Sequence, residues 1–400
     1  MRTMPRMSLK ARGIVLVPFA ALFMAACTPP MPPDVLAAQA ESQIVCESGT
    51  VDVAVPETFA GAMTAAGDAL TSICPEQVVA EVAVDQPATA AVVDRTPVPA
   101  DITAFGTASC PAGQPIVVPA FGYPVSMAYN VPGLEGLVMT PEAVAGILSG
   151  TVVTWDDPLL ADANPDFDLS GLPPITLVSA ETSQGSVEAM TAWLERFAPE
   201  SWSGGTTGVL SAGTQLPSVT DLIGELAITE GAIAVLPIFQ AQNNVLAVAN
   251  LPVIVTDEQG VSSDVVVTSD DVQLYKVGSG ATTITTDETG NILASPAIGG
   301  VPVEGNFDIA SSKIVLGEDQ ALVGWPVIGY AHLLICDDPS SKLALSFAQY
   351  VVRLAGQGSL ETFGVTPLPE PIRVKTFIPL KVTVVAVEGS VGDASATPAA

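Results

Sequence analysis

The sequence predicts an α/β protein, and three observations support this class. Short apolar runs of strand character alternate with segments whose apolar residues recur at helical spacing. Hydrophobic residues make up 48% of the 400 residues, which is enough to bury one or two cores. Glycine and proline, 34 of each, are spread without a fixed period, as turns between short elements require. The alternation of strands and helices indicates a largely parallel sheet.

The predicted elements begin at residue 51. Residues 51–55 read as a buried strand, after which Phe59, Met63, Ala66 and Leu70 recur at helical spacing. Further strands are predicted over residues 78–84, 115–118, 124–129, 175–179, 232–236 and 327–335. Further helices are predicted over residues 186–197, 219–226 and 343–354. From about residue 256 to residue 308, β-branched runs separated by turn residues predict a β-rich insertion.

One more helix has sequence signals at both of its ends. Thr140 is a preferred N-cap residue, and Pro141 suits the first helical position. Gly150 suits the position just after the last turn. The sequence therefore predicts a helix between these residues.

The charge balance excludes one class of partner. The formal net charge is -29, with 13 Lys and Arg against 42 Asp and Glu. Nucleic acid and anionic lipid surfaces repel such a chain through its long-range field. We therefore expect no nucleic-acid partner.

The first 27 residues have the pattern of an export signal. Four basic residues before position 13 precede an uncharged run over residues 13–24, which is too short to span a bilayer comfortably, and then Ala25-Ala26-Cys27. Small residues directly before a cysteine resemble a lipobox, although Met24 stands where that motif prefers Leu. The resemblance implies acylation of Cys27 and a lipid anchor on the outer face of the cytoplasmic membrane. An ordinary secretory signal, with Cys27 incidental, is the alternative.

The remaining cysteines form an even set. Cys46, Cys74, Cys110 and Cys336 permit three pairings, and an exported chain favours two disulfides. Cys46 precedes the first predicted strand, and Cys74 follows the helix after it. In a strand-helix-strand unit these two points lie at the same end of the sheet, so we predict Cys46–Cys74 and, with it, Cys110–Cys336.

Several segments occur in an order that is found in one known family. They resemble the motifs YNxPG, LxxIFxGxIxxWxDP, GSIGY, YPI and GYxPLP of the phosphate-binding proteins of bacterial ABC importers. The matching segments are residues 129–134, 140–158, 231–234, 325–328 and 363–369. The resemblance covers roughly residues 124–371 and implies a type II periplasmic-binding fold. In that fold the chain crosses twice between two α/β lobes, and the ligand lies in the cleft between them.

The resemblance implies a division of the chain. The expected segments are a signal peptide with the acylated cysteine (1–27), a proline-rich tether (28–45), the first part of lobe 1 (46–128), lobe 2 (129–250), the second part of lobe 1 with the β-rich insertion (251–376) and a C-terminal tail (377–400).

The resemblance also implies a ligand site where a strand ends and a helix begins. The family's Arg-Ser-Asp-x-Ser-Gly-Thr is matched by residues 180–186, AETSQGS. A helix N terminus offers free backbone N–H groups and a positive dipole end to an anion. We therefore expect Ser183, Gly185 and Ser186 to bind the ligand, together with Thr58 from an earlier loop. An ordinary helix cap without ligand is the alternative for the hydroxyl residues.

The expected site departs from the family pattern in its charge. Ala180 stands where the family has an arginine, so a bidentate and permanently charged partner is missing. Glu181 and Glu57 add negative charge nearby. The family's FGxSD segment is matched at best by residues 105–109, which lack the aspartate. Tight phosphate binding is therefore not expected.

Catalytic and metal sites have little support in the sequence. His332, the one histidine, lies within an apolar run, where a hydrogen-bonded core histidine is favoured over a general base. No CxxC spacing supports zinc, and the aspartates of residues 156–168 do not have EF-hand spacing. We expect no enzyme activity, no metal and no cofactor.

Two functions remain. The first is a receptor that delivers a small solute to the permease subunits of an ABC importer. The family resemblance implies phosphate as the solute, and the altered site residues allow a different ligand. The second is a binding fold whose pocket has decayed and which serves as an interaction or scaffold protein of the cell envelope.

Overall fold

A computed structural model describes residues 41, 43–256, 262–268, 282–300 and 324–382. Cys27, the predicted signal segment and nearly all of the tether lie outside the described residues. No helix of the described part is long and apolar enough to cross a membrane.

The first half of the described chain alternates strands with helices. In order, its elements are β1 (Gly49–Ala54), a 3-10 helix (Glu57–Phe59), α1 (Ala62–Thr71), β2 (Gln77–Val82), β3 (Ala90–Val93), α2 (Pro99–Ser109), β4 (Gln114–Tyr129), α3 (Pro141–Ser149), α4 (Pro158–Ala161), β5 (Thr176–Ala180), α5 (Gly185–Phe197), β6 (Thr214–Leu216), α6 (Val219–Ile228), β7 (Ala232–Pro237) and α7 (Ile238–Asn243).

The second half begins with short strands and ends with helices. Its elements are β8 (Ala247–Val248), β9 (Leu251–Thr256), β10 (Ser262–Val267), β11 (Ile284–Thr286), β12 (Ile292–Ala294), β13 (Ala297–Ile298), β14 (Val327–Asp337), α8 (Lys342–Val351), α9 (Leu354–Glu361) and α10 (Glu370–Thr376). Antiparallel pairs join β9 to β10 and β11 to β12. These strands confirm the predicted β character of the part of residues 256–308 that the structure describes.

The main sheet is mixed, which corrects the expectation of a largely parallel sheet. Its strands run in the order β2-β1-β3-β14-β4-β7-β5-β6. Parallel pairs lie at its two ends, whereas β14 pairs antiparallel with β3 and β4, and β4 pairs antiparallel with β7. The sequence pattern does not reveal the reversal because long buried strands are apolar in either direction.

Strand β4 joins the two halves of the sheet. Its residues up to Pro124 pair with β14, and its residues from Val125 onward pair with β7. The prediction had divided this stretch into two strands. The chain remains one strand because its pairing with β14 runs from Gln114 to Pro124, with a bulge beside Pro119.

Helix ends follow their sequence signals where these are strong. The Thr140 side chain accepts a hydrogen bond from Ala143 N, and Gly150 has a φ of 75°, so both predicted ends of α3 are confirmed. The helix predicted over residues 343–354 is present as α8 but ends at Val351, and a separate helix, α9, begins at Leu354. The break falls at Arg353, whose backbone is extended.

Both predicted disulfides are confirmed. Cys46 pairs with Cys74, and Cys110 pairs with Cys336 across 226 residues. The second bond links the residue after α2 to the end of β14, beside a small core cluster that contains Phe105.

Candidate ligand site

The candidate site lies at the first turn of α5. Gln184 precedes this helix and gives it no side-chain cap, so the first N–H groups are available to another partner. The Gly185 N–H donates a hydrogen bond of 3.1 Å to Oδ2 of Asp94, the residue that follows β3. The helix N terminus therefore holds a carboxylate from elsewhere in the chain.

This contact depends on a close approach of two backbones. The Tyr123 hydroxyl donates a hydrogen bond to the Asp94 carbonyl oxygen. A Cβ at position 185 would lie 1.7 Å from that oxygen and 2.2 Å from the Tyr123 hydroxyl. A Cβ at Gly329 would likewise lie 2.2 Å from the Tyr123 ring. Glycine at both positions is what allows Asp94 to reach the helix.

A second contact joins the same two segments in the reverse sense. The Thr96 N–H donates a hydrogen bond of 3.1 Å to Oε2 of Glu188, which lies one turn into α5. Each segment therefore contributes one carboxylate and one backbone N–H to the other.

The segment of residues 94–96 is fixed by the surrounding sheet. His332 Nδ1 lies 3.0 Å from the Arg95 carbonyl oxygen, and His332 Nε2 accepts a hydrogen bond of 3.0 Å from Ala294 N. The Arg95 guanidinium binds both carboxylate oxygens of Asp101, at 2.7 and 3.0 Å. His332 is completely buried, so the prediction of a hydrogen-bonded core histidine is confirmed.

Burial governs the titration of these acids. Loss of solvent raises the pKa of the Asp94 carboxyl, although the Gly185 N–H and the positive charge of Arg95 oppose the shift. Burial also raises the pKa of Glu188, against the hydrogen bond from Thr96. The negative charge of Asp94 raises the pKa of Glu188 further, and the negative charge of Asp101 does the same to the pKa of Asp94.

Thr58 lies close to this group. It is buried in the 3-10 helix, and its carbonyl oxygen accepts a hydrogen bond of 3.1 Å from Nε2 of Gln240 in α7. The ring of its neighbour Phe59 lies 5.0 Å from the ring of Tyr123. Aromatic packing thus brings the Thr58 turn to the residue that orients Asp94.

The other predicted ligands occupy different surroundings. Ser186 is buried in the first turn of α5. Ser183 is exposed, and its hydroxyl packs against Gly208, where a Cβ would lie 2.1 Å away. The structure thus places Gly185 and Ser186 in the first turn of α5, links Thr58 to that turn only through Phe59 and Tyr123, and directs Ser183 to a neighbouring loop.

Residues 105–109, which were matched at best to the family's FGxSD segment, are helical. These residues form the end of α2, where Phe105 packs into the core. The acid that does reach the helix is Asp94, which directly follows β3 and which the sequence reasoning did not select. Its signal was an acid directly after the apolar run 90–93, a pattern that marks the end of a buried strand.

No cation replaces the missing arginine in the described part of this site. Ala180 ends β5 and is only 2% exposed, so the place of the arginine is inside the core. The Arg95 guanidinium is already bound by Asp101. Glu57 lies at the first turn of α6, where its Oε2 is 3.5 Å from Thr220 N. The carboxylates around the cleft therefore outnumber the free cations that the structure describes there.

The fold and the site together define the class of protein to which the chain belongs. Two α/β lobes share the long strand β4, and a helix N terminus of one faces a strand end of the other, as in two-lobed ligand-binding proteins of the type II periplasmic-binding architecture. A sequence profile described as a PBP superfamily domain matches residues 50–353. The chain belongs to this family.

Two known proteins with related sequences are phosphate-binding proteins by name. "Phosphate-binding protein PstS 2" of Mycobacterium tuberculosis strain H37Rv and its Mycobacterium bovis BCG counterpart are each 21% identical over 258 residues. The match covers 63% of this chain and spans 62% of the length of those relatives.

Solved structures agree on the fold. A high affinity periplasmic phosphate-binding protein, PfluDING, bound with phosphate, superposes with a TM-score of 0.54 at 15% identity. An ancestral soluble variant of the Human Phosphate Binding Protein superposes with a TM-score of 0.53 at 16% identity. Both matches cover 82% of this chain and 93% of the other. At these identities the likeness concerns the fold alone, and it confirms the predicted two-lobed architecture.

Proposed function

We propose that this protein is an exported solute-binding protein of an ABC importer and that it binds an oxyanion, with phosphate the first candidate. The observation that carries the proposal is the Gly185 N–H, which already holds an anionic oxygen, that of Asp94, at 3.1 Å. A helix N terminus with free N–H groups suits phosphate for the same reason. The phosphate-binding relatives support the choice of ligand.

The proposed binding residues are Gly185 and Ser186 at the helix, Thr58 on the opposite side and Ser183 at the rim. The ligand is then bound by hydrogen bonds alone, because no arginine guanidinium takes part. A charge-assisted hydrogen bond contributes roughly 1.5–3 kcal/mol, and each 1.4 kcal/mol changes affinity about tenfold. We therefore expect phosphate to bind at least about tenfold more weakly than in a comparable site that has the arginine.

The proposed lobes follow the partners of β4. Residues 46–128 with 251–376 form one lobe, and residues 129–250 form the other. The change of partner from β14 to β7 between Pro124 and Val125 supports this division. The cleft then lies between residues 94–96 and the start of α5.

The ligand is tested by thermal unfolding of the mature chain. Phosphate at millimolar concentration is expected to raise the melting temperature, because a ligand that binds only the native state stabilises it. Sodium chloride at equal ionic strength is the control and should produce no comparable shift. The proposal fails if phosphate, sulfate and related oxyanions all leave the melting temperature where chloride leaves it.

We further propose that Cys27 is acylated and anchors the chain to the outer face of the cytoplasmic membrane, beside the permease subunits that receive the solute. The lipobox-like sequence before Cys27 supports this. Mass spectrometry of the mature N terminus should find a diacylated cysteine, and Cys27→Ser should release the protein from the membrane fraction. An unmodified N terminus at another residue would refute the anchor.

Binding without catalysis is the proposed mode of action. His332 is sealed inside the sheet with both ring nitrogens engaged, and burial lowers its pKa to about 4. The ring therefore has no access to a substrate in the cleft, and its role is structural.

A further inference from the structure

Gln184 is a buried glutamine whose amide nitrogen has no partner among the residues that the structure describes. Its side chain is 4% exposed, and Nε2 makes no hydrogen bond within the described part of the chain. Nearly all buried polar groups in folded proteins are paired, because an unpaired donor gives up its bonds to water without replacement. The Nε2 group is therefore a donor for a partner that does not belong to these residues.

The position of Gln184 places this donor at the candidate ligand site. Its backbone N–H donates a hydrogen bond of 2.8 Å to the Gly208 carbonyl oxygen, and its own carbonyl oxygen accepts one of 3.1 Å from Glu188 N. The second bond is the first one of α5, so Gln184 is the N-cap residue. An N-cap side chain lies beside the first-turn N–H groups of its helix, but Gln184 makes no capping bond to them. Nε2 therefore lies at the helix end that includes Gly185 and Ser186.

The sequence shows two changes in the motif that this turn resembles. Gln184 stands at the second serine of the family's Arg-Ser-Asp-x-Ser-Gly-Thr, and Ala180 stands at its arginine. The chain thus lacks a charged donor at the start of the motif and has a longer, neutral donor near its end. A carboxamide has two N–H donors and binds an oxygen acceptor, as a guanidinium does, without adding charge. The second change therefore restores part of the hydrogen-bonding capacity that the first removes.

A buried glutamine with a structural role has a protein partner, and Gln349 is an example. It is 9% exposed, and its Nε2 donates a hydrogen bond of 2.8 Å to the Leu380 carbonyl oxygen. Within the described ranges the Nε2 of Gln184 has no such acceptor, although the side chain is buried more deeply. Its amide lies instead beside a helix N terminus, which is a place that suits an anion.

We propose that the Gln184 carboxamide binds an oxygen of the oxyanion through Nε2 and takes over part of the role of the missing guanidinium. The proposal rests on the function proposed above and adds a specificity-determining side chain to it. Calorimetric titration with inorganic phosphate tests it. Gln184→Met keeps the length of the side chain and removes the donor, so phosphate should bind at least about tenfold more weakly. Gln349→Met is the matched control and should leave the affinity unchanged, because Leu380, its partner, takes no part in the proposed site.

Thermal unfolding without added oxyanion gives a readout that a structural role would not produce. Gln184→Met removes a buried donor that has no partner in the described chain, so the melting temperature should rise by about 1–3 °C. Gln349→Met removes a donor that does have a partner, so the melting temperature should fall. A fall in both variants would overturn the proposal, because it would show that Gln184 holds the fold.

The outcomes distinguish this inference from the proposed function. If the wild type binds phosphate and Gln184→Met binds it equally well, the role of Gln184 is wrong and the proposed function stands. If the wild type binds neither phosphate nor sulfate, the proposed function fails, and this inference fails with it. If Gln184→Met does not fold, Gln184→Glu replaces the amide by a carboxylate of the same size and should weaken phosphate binding at least about tenfold, because it also repels the anion. Unchanged affinity in that variant would count against the proposal.

Discussion

Acidification from pH 7 to pH 5 is expected to destabilise the folded chain through His332. The folded structure holds the neutral ring, with Nδ1–H donating to the Arg95 carbonyl oxygen and Nε2 accepting from Ala294 N. Burial lowers the pKa of this histidine from 6.5 to about 4. In acid the unfolded chain therefore binds a proton that the folded chain excludes, and the stability present at neutral pH is lost as the pH falls.

The size of the effect follows from the two pKa values. With 6.5 for the unfolded chain and about 4 for the folded one, the loss between pH 7 and pH 5 is about 2 kcal/mol. By pH 4 it approaches about 3 kcal/mol. Asp94 and Glu188 act in the opposite direction, because their pKa values are raised and their contribution is lost as the pH rises.

A substitution separates the histidine from these acids. Urea unfolding of the wild type and of His332→Gln, followed by circular dichroism at pH 5 and pH 7, gives the change in unfolding free energy for each. The variant should be less stable at both pH values because it loses a buried hydrogen bond. Its pH dependence should lack the acid loss of about 2 kcal/mol that His332 causes. Changes that agree within about 0.5 kcal/mol would refute the assignment.

The remaining predictions concern two glycines, the N-cap of α3 and the two disulfides. Gly185→Ala should lower the unfolding free energy by about 3 kcal/mol, because its Cβ would lie 1.7 Å from a backbone oxygen. Gly224→Ala, in an exposed helix position where a Cβ meets nothing within 4 Å, should raise it by about 0.5–1 kcal/mol. Equal effects would refute the steric argument. Thr140→Ala should cost about 1 kcal/mol in urea unfolding, and no cost would mean that the cap is dispensable. Replacing both cysteines by serine should cost about 3.5 kcal/mol for Cys46–Cys74 and about 5.5 kcal/mol for Cys110–Cys336, because the second closes the longer loop. The reverse order would contradict the entropic reasoning.

The elements that the sequence predicted well are those whose signals are local. Helix α3 has a cap, a first-turn proline and a terminal glycine between Thr140 and Gly150, so its two ends need no tertiary information. The inward stripe of α5, with Val187, Met190 and Trp193, is buried as the spacing predicted. The Cys46–Cys74 bond followed from one strand and the helix after it.

The elements that it missed depend on distant contacts. The four residues of β3 are too few for a periodic signal, and they become a strand because β1 and β14 lie on either side. The direction of β14 relative to β4 is set by the whole topology and leaves no local trace. Two separately predicted apolar stretches are one strand because the pairing with β14 continues from Gln114 to Pro124.

The candidate site shows the same limit. Gly185 and Ser186 were identified from the strand-to-helix turn, which is a local pattern. Asp94 was missed because it lies 91 residues away, and its role appears only when the fold brings it to the helix. Gly329 gave no signal at all, because its importance rests on the volume of the Tyr123 ring.

The Cys110–Cys336 bond has a consequence for how the chain matures. As the polypeptide emerges from its N terminus, Cys110 and β4 appear long before Cys336 and β14, which lie 226 residues later. Until then the edge of β4 that pairs with β14 has no neighbour, and the thiol of Cys110 can pair only with earlier cysteines, Cys46 and Cys74 among them. Early oxidation of that local pair would protect Cys110 from mispairing. The pairing of β4 with β14 and its cross-link can then form only after residue 336 has arrived, so a thiol oxidant must still act when the end of the chain has been exported.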